Sequence, residues 1–125
     1  MESSTFDLLA ASLRADSGDV KAFVEALATK LSESFPGHVN VEHRGGLLRG
    51  AKPVKTITVA LGDDRYELDH DAGRVVCIRR TVVRGIALKT EEIGLDAWID
   101  ALSHALVAQA ETTERDRDAL ARLLG

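Results

Sequence analysis

The sequence predicts an α+β fold: a two-layer sandwich in the order α-α-β-β-β-β-α, with helices on one face of a four-stranded antiparallel meander. Three observations carry this. Apolar residues recur at helical spacing before Pro36-Gly37 and again after Leu95. Between those segments the spacing falls to two, as in half-buried strands. Two turn signals in that stretch, Gly62-Asp63-Asp64-Arg65 and Asp71-Ala72-Gly73, set registers that agree with each other. With 125 residues the chain fits one domain, expected over 1–125, with enough core to fold without a metal or disulfide.

Phe6, Leu9, Ala10 and Leu13 share one helical face behind a Ser4 or Thr5 cap, which predicts a short helix over 5–14. Val20, Phe23, Val24, Leu27 and Leu31 form a second stripe, predicting a helix over 18–34 that Pro36-Gly37 stops. The first strand alternates Val39 and Val41 with Asn40 and Glu42. Ile57, Val59 and Leu61 mark the second, and Tyr66, Leu68 and His70 the third. The fourth starts at Arg74, weakens at Arg79-Arg80-Thr81 and continues past Gly85 through Ile86-Ala87-Leu88, with a bulge expected near Arg80 or Gly85. Leu95, Trp98, Ile99, Leu102 and Leu106 return to helical spacing. Residues 95–124 read as one helix, or as two if Thr113 caps a second.

A turn at Asp63-Asp64 pairs Leu61 with Tyr66 and Val59 with Leu68. A three-residue loop at 71–73 pairs Tyr66 with Ile78 and Leu68 with Val76. Both registers put apolar residues on one face, and a one-residue slip would reverse every side chain. The opposite face is then polar: Glu42, Thr56, Thr58, Arg65, Glu67, Asp69, Arg79 and Thr81. Arg65 would oppose Arg79, a like-charge pair that needs relief from nearby acids or solvent. Trp98 and Phe23 are expected to pack on Val59, Leu68 and Val76.

The net charge of −4 argues against nucleic acid and anionic membrane surfaces, whose binding draws on neutralised phosphate. No apolar run nears the length of a membrane span. A lone cysteine, Cys77, excludes an intrachain disulfide. With a start, Met1-Glu2-Ser3-Ser4-Thr5, that lacks the basic and apolar regions of a leader, this leads us to expect a cytoplasmic protein.

Catalytic motifs are absent. Asp69-His70-Asp71 beside Asp63-Asp64 gathers ligand-type side chains, yet Asp69 and His70 fall on opposite faces of a strand. Cys77 has Arg79 and Arg80 nearby but no histidine placed to act as its base. Gly45-Gly46-Leu47-Leu48-Arg49-Gly50 lacks the Lys-Ser/Thr pair of a phosphate loop. The strand face carries no outward aromatic on which RNA bases could stack. No cofactor and no metal are expected.

Three stretches suit a protein partner instead. The loop around Arg44, Leu47, Leu48 and Arg49 sets an apolar tip among cations. The far half of the fourth strand, with Val83 and Ile86 as apolar anchors beside Leu88, lacks an obvious pairing strand. Leu120, Leu123 and Leu124 have the spacing of a docking helix, the alternative being a C-terminal turn packed on its own domain.

The order helix, antiparallel meander, long C-terminal helix resembles type III secretion chaperones and YbjN-like domains. Val82-Val83-Arg84-Gly85-Ile86 and Leu95-Asp96-Ala97-Trp98-Ile99 also look like a group of small bacterial α+β proteins with no assigned function. That group carries no function over; the resemblance to secretion chaperones and YbjN-like domains implies a non-enzymatic protein-binding or chaperone-like module, and the unpaired strand and terminal leucines lead us to expect a homodimer. The alternative is a small enzyme or ligand-binding domain with a site between helix and sheet.

Overall fold

The computed structural model describes residues 20–45, 53–71 and 73–124, so the helix expected over 5–14 lies outside the described residues. The elements are helix α1 (Val20–Ser34), strands β1 (Val39–His43), β2 (Val54–Leu61), β3 (Asp64–Asp71), β4 (Arg74–Val83) and β5 (Ile86–Ile93), and helices α2 (Leu95–Ala110) and α3 (Glu114–Leu124). The class is α+β. The sheet is an antiparallel meander in the order β1-β2-β3-β4-β5. No helix among the described residues is long and apolar enough to cross a membrane.

The sheet has five strands where four were expected. The long fourth strand is two. Arg84 and Gly85 both hold positive φ, 51° and 79°, as the central pair of a type I′ turn requires. The chain doubles back there, with Val83 opposite Ile86. Residues from Ile86 onward therefore pair with β4 instead of extending it. Arginine is a poor left-handed residue, so the usual Asn-Gly or Asp-Gly hairpin signal is missing from the sequence. The bulge falls in this hairpin: the register shifts between Thr81 and Val82, and Leu88 is the extra residue on β5.

Both expected registers also shift. Leu61 pairs with Asp64, so the first turn is Gly62-Asp63, with Gly62 at φ 60°. This is the glycine-first geometry of a type II′ turn, and the two-residue shift leaves the faces unchanged. Asp71 pairs with Arg74, which makes the next loop one residue shorter than expected. That single step exchanges the faces of β4. Cys77 now opposes Leu68 and is buried, whereas Val76 and Ile78 join the outer face. Arg79 and Thr81, expected outside, lie on the helix-covered face. Arg65 opposes Arg80 rather than Arg79. The like charges are relieved because Arg80 bonds Glu67, while Arg65 donates to the carbonyls of Gly62 (2.9 Å) and Asp64 (3.0 Å).

One core joins sheet and helices. Ile57, Val59, Tyr66, Leu68 and Cys77 meet Phe23, Leu27 and Leu31 of α1 and Trp98, Ile99 and Leu102 of α2. Trp98 and Phe23 are buried as expected; Val76 is not in this core, because of the β4 register. The segment 95–124 is two helices, with the Thr113 hydroxyl accepting from the Asp116 N–H at 3.0 Å as the cap of α3. The third helix packs on α1 and α2 and buries Ala119, Leu120 and Leu123.

Trp98→Ala should cost about 3–5 kcal/mol in urea denaturation, because the site is closed on all sides. Gly85→Ala should cost about 1–2 kcal/mol from backbone strain alone, since a Cβ there meets no atom within 4 Å. An unchanged midpoint for either variant would contradict this packing.

Candidate functional site

The β4–β5 hairpin is the most exposed apolar feature among the described residues. Ile86 is 64% and Leu88 66% exposed, and they are the exposed large hydrophobics of the described chain. The hairpin is stiffened by its I′ turn and by the Val82 N–H donating to Asp63 O at 2.6 Å, which ties its turn end to the β2–β3 turn. Among the described residues strand β5 ends the sheet, and one side of its backbone has no pairing strand there. Along it, Lys89 and Glu91 are 3.8 Å apart and Thr90 is exposed.

A groove of about 460 Å³ lies between the sheet and α2, lined by Asp64, Tyr66, Arg79, Ala101, His104 and Ala105. Arg79 spans it, with its guanidinium carbon 5.8 Å from the Tyr66 ring centre and Nη2 3.7 Å from Asp64 Oδ2. The Thr81 hydroxyl donates to Asp64 Oδ1 at 3.3 Å. Burial pushes the Tyr66 phenol up from its usual value, and the Arg79 charge pulls it back. This polar cluster exists because β4 is one residue out of the register that the loop composition suggests.

A third site joins the start of β1 to α3. His38 Nδ1 is 3.1 Å from Ala60 O, and Nε2 faces Asp116 Oδ1 at 3.8 Å. Asp116 is buried and accepts from Gln109 Nε2 at 2.8 Å. The cavity of about 350 Å³ beside them is lined by Ser34, Phe35, Thr113, Arg115 and Arg122 as well. The carbonyl fixes the ring proton on Nδ1, and Nε2 is directed at a carboxylate. The ring therefore bridges the start of β1 and α3, with Nε2 on the Asp116 side of the cavity. No sequence signal links His38 to Asp116, which lie at opposite ends of the described chain.

The residues expected to bind a partner separate on folding. Arg44 donates to His70 O and Asp71 Oδ1, both at 2.8 Å, so it ties the start of the β1–β2 loop to the end of β3. Leu47, Leu48 and Arg49 lie outside the described residues. Val83 is half-buried opposite the exposed Ile86. Leu120 and Leu123 are buried and Leu124 packs against the core, a correction to the docking-helix expectation: α3 turns its leucine stripe inward. Asp69 and Asp71 do not converge on His70. Asp69 accepts from the Thr56 hydroxyl at 3.0 Å, and among the described residues no three His, Cys, Asp or Glu group to hold a metal.

Cys77 is buried at 2% exposure, and desolvation with the Asp69 and Glu92 charges raises its thiol to about 12. Native protein at pH 8 should therefore label with a thiol reagent only after unfolding. The folded thiol holds its proton above the ordinary value of 9.0, so the unfolded state loses its proton first. Stability should fall as pH rises from about 9 toward 12, and Cys77→Ala should remove that part of the slope. Fast labelling of the folded protein would contradict the burial.

No protein-family model, no curated protein and no solved structure matches the chain.

Proposed function

We propose that this chain is a non-enzymatic, chaperone-like protein-binding module of the cytoplasm that engages another polypeptide through the β4–β5 hairpin. The observation that carries the reading is the exposure of Ile86 and Leu88, 64% and 66%, on a strand with one unpaired side. Covering such a side chain is worth about 1.5–3 kcal/mol, and an edge strand adds backbone hydrogen bonds to the contact. The buried high-pKa thiol supports a binding role over a chemical one. Kinship with secretion-chaperone and YbjN-like domains belongs to the same proposal: a sheet backed by helices on one face, used as a platform for another chain.

A ligand-binding domain is the second reading, favoured by the Tyr66–Arg79 groove between helix and sheet. Arg79 suits an anionic group there and Tyr66 an aromatic or polar edge.

Ile86→Asp and Leu88→Asp should each abolish specific capture of the protein partner while leaving the thermal midpoint nearly unchanged, because both side chains are exposed. Arg79→Ala should leave that capture intact. Capture that survives both hairpin variants and is lost with Arg79→Ala would favour the groove.

A further inference from the structure

Resting on the hairpin reading, the geometry points to a second copy of this chain as the partner, joined antiparallel along β5 about a two-fold axis at Thr90. Among the described residues strand β5 is paired to β4 on one side only, which leaves its outer row of N–H and C=O groups for another strand. The bulge at Leu88 and the charge of Lys89 limit indiscriminate pairing and leave Lys89–Ile93 as the regular stretch available.

Symmetry restricts the register of that stretch. An axis relating two antiparallel edge strands stands normal to the sheet, so the helix-covered face of one copy continues into that of the other. Opposed residues share a face, so the axis must set one residue against its own copy. Centring on Lys89 opposes two ammonium groups, and centring on Glu91 or Glu92 opposes two carboxylates. An axis at Ile93 runs off the strand, because α2 begins at Leu95. Only Thr90 sets unlike charges together: Lys89 meets Glu91 of the second copy twice, and Thr90 meets itself. Both are favourable cross-strand pairs, whereas like charges oppose pairing.

The observed ladder extends this match. Arg79 lies opposite Glu91, while Lys89 lies opposite Thr81, which in turn opposes Asp64. Across the joint the row reads Arg79, Glu91, then Lys89, Thr81 and Asp64 of the second copy, so the charges alternate in sign. The side chains of Lys89 and Glu91 are 69% and 40% exposed and available for it. The same register carries Leu88 and Ile86 toward Glu92 and the Gly94–Leu95 start of α2 on the second copy.

The test uses the full chain in sedimentation velocity over a dilution series, with cysteine cross-linking alongside. Thr90→Cys should give a disulfide-linked dimer under mild oxidation, since Cys77 is buried and does not compete, and Glu92→Cys should not. Lys89→Glu alone and Glu91→Lys alone should each weaken self-association about tenfold or more, and a mixture of the two should form a heterodimer that neither forms with itself. A monomer at every concentration overturns the inference, as does a dimer that Thr90→Cys fails to link and Lys89→Glu fails to weaken. If the chain stays monomeric while Ile86→Asp still abolishes capture of a different protein, the homodimer fails and the hairpin reading stands. If the chain stays monomeric and Ile86→Asp leaves capture unchanged, both fail.

Discussion

The turn at Arg84–Gly85 decides where this sheet ends. Two consecutive residues at positive φ impose the twist of a tight hairpin, and the chain must return beside β4. Everything from Ile86 onward inherits its position from that reversal. The fifth strand becomes the sheet edge, its bulge falls at Leu88, and Ile86 and Leu88 are held beyond the cover of the helices. A straight fourth strand would have placed these residues in a different environment, with no hairpin to present them. The strain of an arginine in the left-handed region is local and is offset by the ladder that the reversal closes.

A second constraint is the β3–β4 register, which settles the character of both sheet faces. Pairing Asp71 with Arg74 brings Cys77 under the helices and turns Arg79 and Thr81 to the same side. The apolar part of that face ends at Tyr66 and Cys77, and beyond it the inner face becomes a charged row of Asp64, Arg79, Lys89 and Glu91. The helices therefore cover one half of the inner face with hydrophobic contact. The other half carries paired charges at the rim of the groove. On the outer face, Val76 and Ile78 sit half-buried among Thr56, Glu67, Asp69 and Arg80, where Glu67 takes the Arg80 guanidinium and Asp69 the Thr56 hydroxyl.

The terminal helix completes the core. Capped by Thr113 and held by the Gln109–Asp116–His38 contacts, α3 closes over α1 and α2 and seals Leu120 and Leu123 inside. The three-residue connection Glu111–Thr113 reverses the chain, so the leucine stripe meets the core.

The alternation of apolar residues by itself determined the α+β class, the helix ending at Ser34, the strands β1 to β3 and the burial of Phe23 and Trp98, because hydrophobic period is a local property. Tertiary structure decided the rest. Whether Asp71 ends a strand or opens a loop is a difference of one residue that turn composition leaves open, yet it exchanges the faces of β4. The turn at Arg84–Gly85 rests on a left-handed arginine that only a closed ladder stabilises, so the fifth strand and its exposed edge were hidden in an extended-looking run. His38 with Asp116, and Tyr66 with Arg79 and His104, come from segments far apart in the chain. Long-range packing brings them together, and periodicity within a short window carries no information about it.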